Sequence, residues 1–260
     1  MRAIVLCAGQ GKRLLPLTTS DPKCLLAVDG DRSVLEVQLR TMARCGVDRV
    51  TILVGFGADR VEHFLATHRI PGLTVDTIFN PFYATTDNLI TCWLARQAMT
   101  GDFLLLNGDT LFEEEVLRSV LEGPRTPVTV TVNRKASYDD DDMKVTLASD
   151  GRLQAVGKKL PLANVHAESI GMLLFRDSGV TAWRGALERA VRHPNALHHW
   201  YLSVVNDLAQ RIEVTSTAIT GLWWQEIDSP EDLELAREGF RIDLDDTKRA
   251  VPVVARPRAL

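Results

Sequence analysis

The sequence predicts an α/β protein built on a doubly wound, mostly parallel sheet, with a mixed antiparallel insertion in its second half. Three observations predict it. Ala3 to Ala8 is an unbroken apolar run cut off by Gly9-Gln10-Gly11, the mark of a central strand buried on both faces. Up to about residue 122, short apolar runs alternate with segments of helical period, which calls for right-handed crossovers and a parallel sheet. From Val128 the pattern changes to alternating strands joined by tight turns.

Ser33-Val34-Leu35-Glu36 has capping-box spacing, and Leu35, Leu39, Met42 and Ala43 share one face of the helix it opens, with Gly46 as the stop. Val50 to Val54 reads as a strand, Asp59 to His68 as a helix with Val61, Phe64 and Leu65 turned inward, and Val75 to Phe79 as the next strand. Thr86 or Asp87 caps a helix from Asn88 to about Met99. Phe103 to Leu106 is a short buried strand ending in Asn107-Gly108-Asp109, and Glu113 to Leu121 is a helix whose leading glutamates suit its positive end.

In the second half, Val128 to Val132 is a strand, and Lys144 to Ala148 with Leu153 to Val156 forms a hairpin around Asp150-Gly151. Glu168 to Phe175 is a further strand, and helices follow near Ser178 to Arg192 and Tyr201 to Gln210. Ser229-Pro230-Glu231-Asp232 opens a helix directly after Glu226-Ile227-Asp228, so Asp228 falls at a strand-to-helix junction. The predicted organisation is one domain over residues 1–239, its halves meeting near 122, and a C-terminal tail over 240–260.

The 260 residues, 45% of them hydrophobic, suffice for a substantial core. A formal net charge of −4 argues against nucleic acid as a partner. The four cysteines, Cys7, Cys24, Cys45 and Cys92, form no CxxC pair, which excludes a zinc ribbon or a disulfide framework. The apolar start is too short for a signal segment or a membrane span, so a cytoplasmic setting without membrane attachment is expected. The acidic run Asp139 to Asp142 reads as a solvated loop ahead of a metal site.

The strongest chemical signal is Cys7-Ala8-Gly9-Gln10-Gly11-Lys12-Arg13-Leu14, followed by Pro22-Lys23. A glycine turn after a buried strand lets backbone N–H groups approach phosphate, and adjacent cations offset its charge. A dinucleotide fingerprint fails because its third glycine is Leu14, and a Walker loop fails because no Gly-Lys-Ser/Thr follows.

These residues, with Asn107-Gly108-Asp109 and Glu226-Ile227-Asp228, resemble the sugar-phosphate and phosphocholine nucleotidyltransferase family, over nearly the whole chain to about Glu238. The likeness implies a Rossmann-like nucleotidyltransferase fold, with a nucleotide-binding half over about 1–122 and an acceptor-side half over about 123–239. It implies that Asp109 and Asp228 hold Mg²⁺ against the nucleotide phosphates. It gives Lys23 the α-phosphate and Arg13 the departing phosphates, with Lys12 either joining Arg13 or lying solvated on the surface, while Ala8, Gly9, Gly11 and Asn88 line the nucleotide. Lys158, in an altered Gly157-Lys158-Lys159, matches the lysine that grips the acceptor phosphate, with Lys159 as the alternative.

Finer likeness points to the phosphocholine and phosphonate cytidylyltransferase branch, through Asn80-Pro81-Phe82-Tyr83, Thr86-Asp87-Asn88-Leu89, Asp142-Met143-Lys144-Val145, Glu168-Ser169-Ile170-Gly171 and Trp200-Tyr201. The expected partners are CTP, or another nucleoside triphosphate, and a small phosphate or phosphonate held by Asp142, Lys144, Glu168, Trp200 and Tyr201, its ammonium against the acids and aromatic rings of that set. A core position is the competing reading for Trp200. A homodimer is left open. A sugar-1-phosphate or inositol-1-phosphate nucleotidyltransferase is the enzyme alternative. A regulatory relative would be expected to lose the acids or the lysine, and a nicotinamide oxidoreductase lacks its glycine.

Overall fold

A computed structural model describes residues 1–245, with side-chain surroundings through residue 239. The strands are β1 (Arg2–Cys7), β2 (Ala27–Asp29), β3 (Arg32–Ser33), β4 (Arg49–Val54), β5 (Thr74–Phe79), β6 (Phe103–Asn107), β7 (Thr110–Phe112), β8 (Val128–Asn133), β9 (Lys144–Leu147), β10 (Leu153–Gly157), β11 (Ala167–Phe175), β12 (Val214–Ala218) and β13 (Trp224–Glu226). The helices are α1 (Val34–Arg44), α2 (Ala58–Thr67), α3 (Asn88–Leu94), α4 (Glu114–Glu122), α5 (Ser178–Ala190), α6 (Tyr201–Ala209) and α7 (Pro230–Asp245). Of the tail expected over 240–260, α7 takes up 240–245 and the rest lies outside the described residues.

The main sheet has nine strands, seven of them in the order β10-β9-β11-β6-β1-β4-β5, with β8 and β12 attached through β11. Strands β6, β1, β4 and β5 are mutually parallel, as the alternating first half requires. Strand β11 reverses the direction and pairs antiparallel with β6, β8 and β9. It passes from β9 to β6 near Gly171, whose φ of 74° is open to glycine at little cost. A Cβ there would strike the Asn107 amide, so this glycine also lets β11 pass close to the end of β6.

Alternation along β1 sends Ala3, Val5 and Cys7 to one face, against Leu35, Leu39 and Met42 of α1 and Val116, Leu117 and Val120 of α4. Ile4 goes to the other face, into a core with Leu89 of α3, Trp183 of α5 and Val205 of α6. A third cluster joins Leu14 and Val34 to Ile227, Leu233 and Ala236, tying α7 to the glycine loop. Helix α3 is shorter than its sequence pattern: it ends at Leu94 and continues as a tighter 3₁₀ turn through Gln97. Among the described residues, no helix is long and apolar enough to cross a membrane.

Candidate active site

Most of the predicted site residues converge where the carboxyl ends of β1 and β6 open into a cleft of about 310 Å³. Gly9 and Gly11 follow β1 and line one wall. Gly11 has φ 72°, and an added Cβ would lie 3.1 Å from Cβ and Cδ of Lys23, so the glycine makes room for that lysine's stem. Ala8 is buried in the turn itself, with its carbonyl accepting from Phe56 N–H. Lys12 is exposed and lies outside the cleft lining.

Asp109 sits between β6 and β7, and Asp228 follows β13. The two loops meet because β13 pairs antiparallel with β7, Glu226 opposite Thr110, and Ile227 N–H donates to the Asp109 carbonyl at 3.0 Å. Buried Gln38 of α1 fixes the same turn, its side-chain amide donating to the carbonyls of Asn107 at 2.9 Å and Thr110 at 2.7 Å. Asp232, in the first turn of α7, accepts from the backbone N–H groups of Asp228 and Ser229, while Ser229 Oγ caps that turn by accepting from Asp232 N–H at 3.2 Å.

Lys23 Nζ lies 2.6 Å from Asp109 Oδ2 and 2.7 Å from Asp228 Oδ1. Desolvation opposes its charge, but the two carboxylates prevail and raise its pKa well above the ordinary lysine value. Asp228 balances the same way: desolvation pushes its pKa up, and Lys23 and Arg13 pull it below the usual range. Glu226, to which its sequence motif assigns no role, brings a third carboxylate oxygen, so that Asp109, Glu226 and Asp228 offer ligand atoms within 4.8 Å of one another. Desolvation and then the charges of Asp109 and Asp228 push its pKa up to about 8.

This set fits a hard divalent cation. All donors are carboxylate oxygens, and Asp109 Oδ1 is buried with no hydrogen-bond partner, an orphan a cation would satisfy.

Arg13 extends over the cleft, with Nη2 on Asp228 Oδ2 at 2.6 Å and Nη1 on Asp141 Oδ2 at 3.0 Å. Lys158 reaches the other oxygen of Asp141 at 3.2 Å and stands 4.9 Å above the centre of the Trp200 ring. Lys158 lines the cleft and Lys159 does not. Asp139, Asp140 and Asp141 are exposed, as expected of a solvated loop, but the run is also folded against the cleft. Asp139 accepts from the backbone N–H groups of Asp141 and Asp142, and the folded turn aims Asp141 at two cleft cations.

The expected acceptor set is only partly brought together. Trp200 is 41% exposed and lines the cleft, so the competing core position is excluded. Asp142 and Glu168 also line it, but a residue with no sequence signal stands between them: Lys135 Nζ lies 2.6 Å from Asp142 and 2.9 Å from Glu168. Burial pushes the Glu168 pKa up to about 7 against the pull of Lys135.

Two expectations need correction. Lys144 is buried behind the cleft with Nζ donating to the Lys158 carbonyl at 2.8 Å, so it supports Lys158 rather than meeting a ligand. Tyr201 is wholly buried, its hydroxyl donating to Asn107 Oδ1 at 3.1 Å, and offers no open face to a cation. Asn88 lines the cleft, but its Oδ1 accepts from Tyr201 N–H at 2.9 Å, which leaves its NH₂ for a ligand. A larger groove of about 690 Å³ between α2 and β5 is lined by side chains such as Leu65, Ile70 and Leu73 and gathers no comparable set of charges.

The profile of the MobA-like NTP transferase domain matches residues 3–211. The CMP-5'-(3-aminopropyl)phosphonate synthase of Streptomyces rubellomurinus (strain ATCC 31215) is 31% identical over 244 residues, 89% of this chain and 37% of that protein. The bifunctional IPC transferase and DIPP synthase of Aquifex aeolicus (strain VF5) is 26% identical over 238 residues, 91% of this chain and 51% of that protein. The chain thus spans about half the length of one relative and little more than a third of the other. Among solved structures, the inositol-1-phosphate CTP transferase from T. maritima superposes with a TM-score of 0.76 at 21% identity, covering 90% of this chain and 94% of that one, a likeness of fold.

Proposed function

Since this chain belongs to the MobA-like NTP transferase domain family, we propose that it is a cytidylyltransferase, moving CMP from CTP to a small phosphate or phosphonate and releasing pyrophosphate in the cytoplasm. The observation that carries the reading is the meeting of Asp109, Asp228 and Lys23 under the Gly9 to Gly11 turn. In this reading residues up to about 122 hold the nucleotide, and those from about 123 to 239 hold the acceptor.

Asp109 and Asp228, joined by Glu226, would hold Mg²⁺. A bound divalent ion neutralises phosphate charge and orients the reacting group. Lys23 meets the α-phosphate, whose charge grows as the new bond forms, and Arg13 holds the departing phosphates. Gly9, Gly11 and the Asn88 amide face the nucleotide. Lys158 draws the acceptor phosphate into line. No side-chain base is needed, because a phosphate monoester with its second pKa near ~6 is already a nucleophile at neutral pH. The work of the residues is positioning and charge neutralisation.

For the acceptor we favour a small phosphate or phosphonate bearing an ammonium. Asp142 and Glu168 already accommodate the ammonium of Lys135, and the Trp200 face already carries that of Lys158, so both surfaces suit a cation. The name of the Streptomyces relative, with 3-aminopropylphosphonate in it, supports the same class. The test is pyrophosphate release with CTP against choline phosphate, aminoethylphosphonate, inositol phosphate and glucose 1-phosphate. Preference for one of the first two is expected. Preference for either of the last two overturns the acceptor class, and no release with CTP, UTP or another triphosphate overturns the transfer itself.

A further inference from the structure

We infer that Lys23 is the ligand-free protein's own counter-ion for its metal carboxylates, and that it excludes the divalent cation until a nucleotide draws it away. This deepens the proposed function and rests on the metal pair named there. Two of the carboxylates that would hold the ion are the ones the ammonium already holds, through Asp109 Oδ2 at 2.6 Å and Asp228 Oδ1 at 2.7 Å. The other oxygen of Asp228 is taken by Arg13 at 2.6 Å. Asp109 Oδ1 is left buried and unpartnered, so the lysine fills the seat incompletely.

The sequence builds this arrangement locally. Lys23 opens a short 3₁₀ turn after Pro22, and the missing Cβ of Gly11 leaves a slot for its stem, which brings the ammonium to the acids with its side chain only 13% exposed. A divalent ion shared between those carboxylates would lie close to an ammonium held by the same groups, and like charges so near repel strongly where solvent screens poorly. The two are alternatives. When Lys23 turns to the α-phosphate, it gives up both carboxylates at once and gains a new anionic partner.

Lys23 therefore couples the two ligands. Nucleotide raises metal affinity by removing the competing cation, and by linkage metal raises nucleotide affinity by the same factor. Such coupling would let the ion enter together with the nucleotide.

The test is Mn²⁺ binding to the full chain without nucleotide, read from the electron paramagnetic resonance signal of the free ion, so that no turnover is required. Lys23→Met keeps the stem and removes the charge, and should tighten Mn²⁺ tenfold or more. Lys23→Arg should bind as weakly as wild type, and adding Asp109→Asn to Lys23→Met should abolish the gain. Lys23→Gln provides a second uncharged variant if Lys23→Met fails to fold by circular dichroism. A folded uncharged variant that binds Mn²⁺ no better than wild type overturns the inference. If Asp109→Asn weakens Mn²⁺ binding in that case, the metal pair survives and only the role of Lys23 falls. If Asp109→Asn changes no Mn²⁺ binding in any background, the metal pair falls with it.

Discussion

Asp109 and Asp228 share one lysine and lie beside one orphaned oxygen, an arrangement better suited to binding a charge than to holding the fold together. Asp109→Asn and Asp228→Asn should each lower turnover at least a hundredfold, about 3 kcal/mol of transition-state stabilisation, with circular dichroism and melting behaviour close to wild type. Near-normal rates at saturating Mg²⁺ would remove them from the mechanism. These residues were legible in the sequence because the motifs that end in them, Asn107-Gly108-Asp109 and Glu226-Ile227-Asp228, resemble those of a nucleotidyltransferase family. Gln38 was not, because its role depends on carbonyls 69 and 72 positions away. Nor was Lys135, whose meaning appears only when the turn at 139–142 and β11 place a carboxylate on either side of it.

The same corner predicts a pH dependence. Folding raises the Glu168 pKa from its ordinary 4.5 to about 7, so the folded chain holds a proton there that the unfolded chain has lost. The stabilisation is complete below about 4.5 and is lost as pH rises to about 7, up to roughly 3 kcal/mol by the conversion of pKa units to energy. Denaturant unfolding of Glu168→Gln should show no such decline across that window. Parallel pH profiles for the variant and wild type would contradict the assignment.

At the scale of elements, the candidate site depends on how closely strands and turns can approach. A Cβ on Gly108 would strike Cys7 Sγ and come within 2.7 Å of the Leu6 carbonyl, which is backbone and cannot turn aside. Gly108→Ala should cost about 1–3 kcal/mol, the usual range for overpacking, and should lower turnover by displacing Asp109. Asp232→Ala, which frees the backbone N–H groups of Asp228 and Ser229, should cost about 0.5–2 kcal/mol, as lost helix caps do. Because Asp232 orients rather than touches the ligands, it should lower turnover less than Asp228→Asn. Chemical denaturation and steady-state kinetics check both variants, and unchanged stability in both would contradict this packing.

Most elements could be read from periodicity, since β1, β4, β6 and β11 are apolar runs and the Asp150-Gly151 turn announces its hairpin. Strand β12 escaped because Val-Thr-Ser-Thr-Ala has little apolar pattern, and it forms by parallel pairing with β8. The two- and three-residue ladders β2–β3 and β7–β13 are too short to show a period, yet the second of them joins the loops that carry Asp109 and Asp228.

On the scale of the whole molecule, a parallel half carrying the glycine turn faces a mixed half carrying Lys158, Trp200 and the acidic turn, and charged side chains bridge the cleft. Arg13 and Lys158 meet at Asp141, and Arg13 and Lys23 meet at Asp228. In the proposed reaction, ligand phosphates replace the protein's own anion on these cations. CTP with Mg²⁺ at a hundred times its dissociation constant should then stabilise the fold by about 2.7 kcal/mol, a rise in melting temperature that CTP with a chelator should not match.

The most direct measurement follows the fate of the α-phosphorus. With CTP labelled at that position, Mg²⁺ and aminoethylphosphonate or choline phosphate, chromatography should show the label passing into a CMP-linked acceptor while an equal amount of pyrophosphate appears, and Asp109→Asn should stop both. Label that remains in CTP, or is released only as free CMP, would contradict the proposal that this cleft performs cytidylyl transfer.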